Sequence, residues 1–278
     1  MLMMKKLLAF AVALLAVATA VAQPGIVCHR GFYNSPGADE NSIKALENAY
    51  ALGGMYGVEF DVNLTTDKEV VVVHGPKILG TNLLVQKSSW AEISKVTLPN
   101  GNKVPTFREW IIAAKKCPGL KQIIEFKKHE TPELETELVE RVVAICRELD
   151  ALDIVEFSSF SYHICKECAR LVPGSKVLYI NSSLGSKCVE VAKAKADKVT
   201  DLVYNCNVFM NRPDLVADAL ANGMQTTMWM VNQPEVVDWA IRHGVNYVSS
   251  DYPDRIKAYL ATPAVKRAVA KTAKSRTK

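Results

Sequence analysis

Four features are absent from this sequence of 278 residues. It has no low-complexity linker and no internal repeat, which argues against a string of small modules or a solenoid. Its longest apolar run, Leu7 to Ala18, has 12 residues, whereas a membrane-spanning helix needs about 20. Cys165 and Cys168 have no second ligand pair at a suitable spacing, so a structural zinc site is not indicated. Because 49% of the residues are hydrophobic, we expect one domain with a substantial core.

The first 22 residues have the three parts of a signal peptide. Lys5 and Lys6 precede the apolar run, and the small residues Ala20 to Ala22 form a cleavage site. We therefore predict cleavage after residue 22 and export to the periplasm or the extracellular space. A membrane anchor is the alternative, but the apolar run is too short for it.

The formal charge of +5 does not describe the expected folded domain. Two bases lie in the predicted signal peptide, and six lie in residues 262–278, which contain no acid. Without these segments the formal charge is −3, so a nucleic-acid-binding surface is not supported. We predict a domain from residue 23 to 261 and a basic, disordered tail from 262 to 278.

The seven cysteines are an odd number, so at least one is unpaired or pairs between chains. Cys165 and Cys168 lie on a predicted helix near His163. We interpret them as incidental neighbours on that helix, with a redox pair as the alternative. The sequence predicts neither a disulfide pattern nor an oligomeric state.

Short runs rich in β-branched residues alternate with amphipathic helical stretches along the chain. This alternation is typical of parallel βα units. The runs predicted as strands are Ile26–His29, Gly57–Asp61, Val70–His74, Gln122–Lys127, Asp153–Ser158, Lys176–Ile180, Leu202–Asn205, Thr226–Val231 and Val245–Ser249. Nine strands are one more than an eight-stranded barrel requires.

The surplus strand is Val70–His74. Only a short turn separates it from Gly57–Asp61, and parallel neighbours need a crossover of a dozen or more residues. It is therefore predicted to form a hairpin. The other eight strands and their helices predict an α/β fold, a (β/α)₈ TIM barrel with an extra β-hairpin at the carboxyl-terminal rim. The chemistry of such barrels is located at that rim.

Acidic side chains end two of the predicted strands at the rim. Residues two apart on a strand share a face, so Glu59 and Asp61 point the same way, as do Glu125 and Lys127. Because neighbouring strands lie about 5 Å apart, the three carboxylates are expected to converge. Three converging acids do not all stay ionised without a cation between them. Such oxygen ligands favour Ca²⁺, Mg²⁺ or Mn²⁺ over zinc.

Two histidines and two cationic side chains end neighbouring strands: His29, Arg30, His74 and Lys127. The cations suit a phosphate, and the histidines suit proton transfer, because the alkoxide that leaves an alkyl diester must be protonated as it departs. The set predicts acid–base phosphoryl chemistry on a metal-held diester. Each residue taken alone also has a structural interpretation, such as a Lys127–Glu125 ion pair.

Nine short motifs occur in the order typical of one enzyme family. They are His29-Arg30-Gly31, Glu40-Asn41-Ser42, Val58-Glu59-Phe60-Asp61-Val62 with Thr65-Thr66-Asp67, Val71-Val72-Val73-His74, Val104-Pro105-Thr106-Phe107, Ile124-Glu125-Phe126-Lys127, Ser158-Ser159-Phe160, Trp229-Met230-Val231-Asn232 and Ser250-Asp251-Tyr252-Pro253. On these motifs the chain resembles the glycerophosphodiester phosphodiesterase family, within the phospholipase-C-like phosphodiesterases.

The resemblance implies a cofactor and a pair of catalytic groups. It implies one divalent cation, Ca²⁺ or Mg²⁺ with Mn²⁺ as a further option, held by Glu59, Asp61 and Glu125. It implies that His29 and His74 are the acid–base pair. The family hydrolyses glycerophosphodiesters to glycerol 3-phosphate and an alcohol.

The resemblance also implies how the substrate is held. Arg30 and Lys127 would bind the phosphate, and Trp229 would line the cleft against the organic part of the substrate. Glu40 would either join the outer shell of the metal or orient Arg30. We expect a small-molecule partner, no nucleic acid and no stable membrane insertion.

Three departures from the family pattern leave the headgroup open. Gly75 follows His74 where the family usually has aspartate, as in related sphingomyelinase D-like enzymes; Ser42 replaces threonine; and the segment 76–102 is short. Two alternatives therefore stand beside the main prediction. One is a phospholipase D-like or phosphatidylinositol-type lipid phosphodiesterase, and the other is a non-catalytic barrel that binds phosphorylated metabolites. The histidines outside the motifs are not assigned to the site: His129, His163 and His243.

Overall fold

The computed structural model describes residues 23–185, 188–267 and 269. Within them, short strands alternate with helices along the chain, as the sequence predicts. The strands are β1 (Gly25–Cys28), β2 (Gly57–Leu64), β3 (Val70–Val72), β4 (Lys121–Phe126), β5 (Val155–Ser159), β6 (Val177–Asn181), β7 (Asp201–Asn205), β8 (Gln225–Trp229) and β9 (Tyr247–Ser250). Each predicted strand corresponds to one of these, with ends that differ by a few residues.

Eight of the strands close into a parallel barrel. β1 pairs with both β2 and β9, and the order around the ring is β1-β2-β4-β5-β6-β7-β8-β9. Among the strands of the described residues, β3 pairs with β2, antiparallel, with Val62 opposite Val72 and Leu64 opposite Val70. The predicted barrel with an extra hairpin is therefore confirmed.

Helices link most of the strands and cover the barrel. They are α1 (Ile43–Leu52), α2 (Trp90–Ile93), α3 (Phe107–Ala114), α4 (Pro132–Glu148), α5 (Tyr162–Leu171), α6 (Val191–Ala196), α7 (Cys206–Asn211), α8 (Pro213–Ala221), α9 (Pro234–His243) and α10 (Pro253–Leu260). Capping residues mark the ends of several of these helices. Thr106 and Glu109 form the capping box of α3, Thr131 caps α4, and Gly244 ends α9 in the left-handed conformation.

The main core lies between the barrel and its helices. Phe60 of β2 stacks on Trp110 of α3 with ring centroids 4.3 Å apart, and the indole donates a hydrogen bond of 3.0 Å to Gln122 of β4. Both aromatic side chains are fully buried, which contributes about 2–3 kcal/mol each. Packing of this kind holds β2 and β4 in register, with Asp61 opposite Glu125.

A polar cluster closes the floor of the barrel at the amino ends of the strands. Lys176 lies 3.3 Å from Glu156 and 3.8 Å from Asp201, and it donates a hydrogen bond of 2.9 Å to the hydroxyl of Tyr56. The rings of Tyr56 and Tyr247 pack with centroids 4.0 Å apart. We call these five residues the floor cluster.

The segment that follows β3 packs over the rim with an apolar cluster of its own. Its buried members include Val73, Ile78, Val85, Ile93 and Leu98. Their burial fixes this segment beside the end of β3, and with it His74.

The folded chain extends past the predicted domain boundary at residue 261. Residues 263–267 are helical, and Val265 is buried against the core. The rest of the predicted tail, residues 268 and 270–278, lies outside the described residues, as does the predicted signal peptide, residues 1–22. Along the chain that the structure describes, no helix is both long and apolar enough to cross a membrane.

Candidate functional site

Three buried carboxylates meet at the carboxyl ends of β2 and β4. Glu59 and Asp61 share a face of β2, and Glu125 lies on β4 opposite Asp61. One oxygen from each lies within 4.8 Å of the others, and the residues are only 7%, 1% and 7% exposed. The structure thus brings together the three acids that the sequence predicts as metal ligands.

Burial disfavours the negative charge of this cluster, so the cluster favours a positive charge beside it. Burial, together with Asp61 and Glu125, raises the pKa of Glu59 well above its usual value, and burial is also the main cause of the raised pKa of Glu125. Glu59 Oε1 is buried and has no hydrogen-bond partner among the described residues. These observations fit a site whose oxygens are arranged for a cation.

Lys127 supplies part of the missing charge. Its Nζ lies 2.6 Å from Asp61 Oδ1 and contacts Glu125 Oε1. Burial alone would raise the pKa of Asp61, but Lys127, His74 and Arg30 outweigh it and lower this pKa to about 2. Although burial opposes it, the two carboxylates raise the pKa of Lys127, so its ammonium group stays charged.

The Glu40-Asn41-Ser42 loop supports the site with each of its residues. Glu40 Oε2 accepts a hydrogen bond of 2.7 Å from Arg30 Nη1. Asn41 binds Asp61 twice: its amide donates to the carboxylate at 2.8 Å, and its carbonyl oxygen accepts from the Asp61 backbone N–H at 3.1 Å. Ser42 caps α1. Of the two roles considered for Glu40, orienting Arg30 matches this contact.

Arg30 is held at both its backbone and its side chain. Its backbone N–H donates to Glu59 Oε2 at 2.9 Å, and its guanidinium Nε lies 3.8 Å from Asp61 Oδ2. The Arg30 backbone adopts a positive φ of 53°, which is uncommon for a side chain of this size. The turn therefore aims the guanidinium into the site while its backbone steadies a carboxylate.

His29 is oriented by Asp251, a residue that sequence reasoning did not assign to the site. Nδ1 of His29 lies 2.7 Å from Asp251 Oδ1. Tyr33 donates to the same oxygen at 2.9 Å, and Asn232 donates to Oδ2 at 2.8 Å. Although burial opposes it, these hydrogen bonds lower the pKa of Asp251 to about 2. An ionised carboxylate only accepts, so Nδ1 of His29 carries the hydrogen and Nε2 is left for chemistry.

His74 follows the rim strand β3 and lines the same cavity as His29. Burial is the main cause of its lowered pKa, so its ring is neutral at pH 7. Within the described residues, the ring makes no hydrogen bond. Gly75 has a φ of 71°, and a Cβ placed there would come within 3.3 Å of Val85 and 3.6 Å of Asn63. These contacts account for glycine at the position where the family usually has aspartate.

A cavity of about 200 Å³ joins these groups and continues down into the barrel. Trp229 forms part of its wall, with Nε1 donating to the Val203 carbonyl at 3.0 Å. Phe160 packs edge-on against Trp229 with ring centroids 5.6 Å apart. Farther down, the wall is aliphatic, with Ile123 and Leu178, and the floor cluster ends it.

The three histidines without a motif have other partners. His129 is buried; its Nδ1 is 2.8 Å from the Lys127 carbonyl, and its Nε2 accepts from the Leu64 backbone N–H at 3.1 Å. His163 bonds the hydroxyl of Thr136 at 2.9 Å. His243 stacks on a tryptophan at the end of α9. His129 therefore ties the end of β2 to the strand end that carries Lys127, but it does not enter the cavity.

The cysteines form no cross-link in the structure. All seven are free, and six of them are buried. Cys165 and Cys168 lie on α5 with their side chains in the main core. This placement agrees with the interpretation of the pair as incidental neighbours on a helix.

Three comparisons place these features among known proteins. Residues 29–255 match the model of the glycerophosphoryl diester phosphodiesterase family. A glycerophosphodiester phosphodiesterase of Caldanaerobacter subterraneus is 24% identical over 247 residues, which cover 83% of this chain and 95% of the relative.

Two solved structures have the same fold. A glycerophosphodiester phosphodiesterase from Parabacteroides distasonis is 32% identical, with a TM-score of 0.81 over 87% of this chain and 98% of that one. A phosphodiesterase from Oleispira antarctica, solved with sn-glycerol 3-phosphate, is 24% identical, with a TM-score of 0.76 over 86% and 98% of the two chains.

Proposed function

Because this chain belongs to the glycerophosphoryl diester phosphodiesterase family, we propose that it hydrolyses glycerophosphodiesters to glycerol 3-phosphate and an alcohol with a divalent cation and two histidines. The observation that carries the proposal is the convergence of three buried carboxylates beside a cavity that both His29 and His74 line. The glycerol 3-phosphate bound to the Oleispira enzyme supports the choice of product.

The cation would be held by Glu59, Asp61 and Glu125. The orphaned Glu59 oxygen and the raised pKa of Glu59 fit a missing positive charge, and an all-oxygen donor set suits Ca²⁺, Mg²⁺ or Mn²⁺. When bound, such an ion would polarise a phosphoryl oxygen and offset the charge that develops on it.

The proton transfers belong to the two imidazoles. Hydrolysis forms a bond from the nucleophile oxygen to phosphorus and breaks the bond from phosphorus to the alcohol oxygen. One proton leaves the nucleophile, and one reaches the departing alkoxide. Asp251 fixes His29 with Nε2 free, and the neutral ring of His74 has a vacant nitrogen able to accept a proton. We assign these two transfers to His29 and His74, one each.

Binding of the diester involves the cationic and aromatic side chains of the cavity. Arg30, held in place by Glu40, and Lys127 present two positive charges that would attract the phosphate. Trp229 and Phe160 present aromatic surface to the organic part of the substrate. The wall below them is aliphatic, which favours apolar groups over additional charge.

The test is release of glycerol 3-phosphate from glycerophosphocholine with added Ca²⁺ or Mg²⁺, and its loss with EDTA. Glu59→Gln should abolish turnover and should also weaken metal binding, as measured by calorimetry. Glu130→Gln is the matched control, because Glu130 lies at the same rim with a side chain 75% exposed. If Glu59→Gln kept full activity and metal affinity, the proposed metal site would be wrong.

Export is proposed separately, from the first 22 residues alone. Amino-terminal sequencing of the protein expressed from its full reading frame should give Gln23 as the first residue. An intact amino terminus at Met1, with the protein retained in the cytoplasm, would contradict it.

A further inference from the structure

Exposed apolar side chains are concentrated at one end of the barrel. Among the described residues, seven large hydrophobic side chains are exposed, and five of them lie in segments at the carboxyl-terminal rim. These five are Leu79, Leu84, Phe160, Leu184 and Met210, at 39%, 41%, 42%, 54% and 45% exposure. The other two, Tyr50 and Ile112, lie on α1 and α3 on the outside of the barrel. Scattered apolar residues are normal on protein surfaces, but a concentration beside a catalytic mouth marks an interaction site.

The five residues occupy consecutive positions around the ring. Leu79 and Leu84 lie in the segment after β3, which packs beside the end of β4 through a hydrogen bond of 3.0 Å from Gln86 to the Lys128 carbonyl. Phe160 follows β5, Leu184 follows β6, and Met210 lies on α7 directly after β7. Because β4, β5, β6 and β7 are successive neighbours, these side chains form one arc, which we call the apolar half-rim.

The remaining part of the rim is polar. The segments that follow β8, β9 and β1 carry Asn232, Asp251 and Tyr33, and both Asn232 and Tyr33 donate hydrogen bonds to the Asp251 carboxylate beside His29. The mouth therefore has an apolar side and a polar side. A lipid–water interface likewise has an apolar side, formed by acyl chains, and a polar side, formed by headgroups and water.

The apolar half-rim is continuous with the catalytic cavity. Phe160 is both exposed at the surface and part of the cavity wall. Leu84 borders a recess shared with His74 and Lys127. Aliphatic side chains then continue the apolar surface downward, among them Ile180 and Val203. Apolar surface is thus available to a substituent both at the mouth and deeper in the same cavity.

Charge on the same side of the mouth favours an anionic surface. Lys77, Lys87 and Lys128 are exposed in the segments that carry or adjoin Leu79 and Leu84. Of these three lysines, Lys87 alone has an acidic partner among the residues that the structure describes, Glu130 at 3.2 Å. The local excess of positive charge complements anionic headgroups.

We propose that the apolar half-rim docks on a lipid–water interface that carries anionic headgroups, so that the enzyme acts on phosphodiesters anchored there by an acyl chain. A second copy of the chain or a protein partner on the same arc would cover the mouth of the cavity. A lipid surface instead delivers phosphodiesters to it. The substrate part of this inference rests on the proposed function, whereas the docking part does not.

Vesicle binding tests the docking part without turnover. The protein is sedimented in EDTA with vesicles of phosphatidylglycerol and phosphatidylcholine in equal parts, and with pure phosphatidylcholine. We expect binding to the mixed vesicles and weaker binding to the neutral ones. The double variant Leu184→Ser/Met210→Ser should lose about tenfold or more of its partition. Tyr50→Ser/Ile112→Ser removes the same number of exposed apolar side chains away from the rim and should bind normally.

The docking proposal fails if the natural protein does not bind mixed vesicles, or if the two double variants lose binding equally. It also fails if the rim variant abolishes a concentration-dependent dimer instead, since the arc would then be a contact between copies.

Turnover separates failure of the docking from failure of the proposed function. The rim variant should hydrolyse glycerophosphocholine at the rate of the natural protein but hydrolyse lysophosphatidylcholine held in mixed vesicles about tenfold more slowly. Hydrolysis of glycerophosphocholine without any vesicle binding would overturn only the docking. Vesicle binding with no hydrolysis of either diester would support the docking and overturn the proposed function.

Discussion

Asp251→Asn is the substitution that most directly tests how His29 is oriented. The carboxylate accepts from His29 and Tyr33 on one oxygen and from Asn232 on the other. Asn232 cannot turn around to compensate, because its own carbonyl oxygen accepts from Ser250 at 2.9 Å and from the Asp251 backbone N–H at 3.0 Å. Whichever way an asparagine side chain at position 251 is turned, its NH₂ group faces another donor. That donor is either Asn232 or the pair His29 and Tyr33.

The size of the effect follows from the bond that is lost. A hydrogen bond to a charged group is worth about 1.5–3 kcal/mol. If the substitution destabilises the reactive orientation of the His29 ring by that energy, kcat falls about 10- to 150-fold, because about 1.4 kcal/mol corresponds to a factor of ten in rate. Substrate affinity should change little, because Asp251 contacts no predicted phosphate ligand. The expected signature is a loss in kcat with KM nearly constant.

The assay is steady-state release of glycerol 3-phosphate from glycerophosphocholine at saturating metal. Tyr33→Phe is the matched control, because it removes one hydrogen bond to Asp251 Oδ1 and leaves the carboxylate and its bond to His29. It should cost only a few-fold. Melting curves followed by circular dichroism would verify that both variants fold. Full activity in a folded Asp251→Asn protein would refute the idea that this carboxylate positions His29.

Three further predictions concern the rest of the molecule. Gly75→Ala should lower the free energy of unfolding by about 1–2 kcal/mol in urea titrations, because its φ of 71° strains a side chain and Val85 crowds the new Cβ; an unchanged midpoint would contradict this. Burial raises the pKa of Asp201 to about 6, so the folded protein favours the protonated carboxyl group. This preference adds about 3 kcal/mol to the free energy of unfolding below pH 4, and the contribution is lost as the pH rises through 6. Asp201→Asn should therefore be more stable than the natural protein at pH 7 and lose that lead at pH 4, and a pH-independent difference would count against the assignment. Thiol reagents should label Cys206 in the native protein and all seven cysteines in denaturant, since the other six are buried; rapid native labelling of Cys165 would contradict the structure.

The fold was predictable because its signals are local. Parallel strands buried on both faces are short, continuous apolar runs, and each of the nine runs formed a strand. The hairpin was predictable because no crossover fits between β2 and β3. The position of the three acids followed from the two-residue period of a strand and from the pairing of neighbours.

The support around those acids was less predictable. Asp251 and Asn232 lie in motifs that the sequence displays, but the contact of Asp251 with His29 depends on the closure of β9 onto β1, which brings residues 222 positions apart together. A polar residue directly after a strand, as Asp251 is, was the available signal. The two hydrogen bonds between Asn41 and Asp61 and the position of the apolar half-rim also depend on how loops from distant segments pack together. No local sequence pattern indicates such long-range contacts.

The floor cluster affects how substrate enters the enzyme and how products leave it. Glu156 and the paired tyrosines of this cluster line the lower end of the cavity, so they close it there and leave it open toward the carboxyl-terminal rim. Substrate must enter and both products must back out through one opening. The fragment nearer the rim must leave before the deeper one, so product release is ordered. The deeper fragment leaves last and is therefore the product that rebinds the free enzyme and competes with substrate.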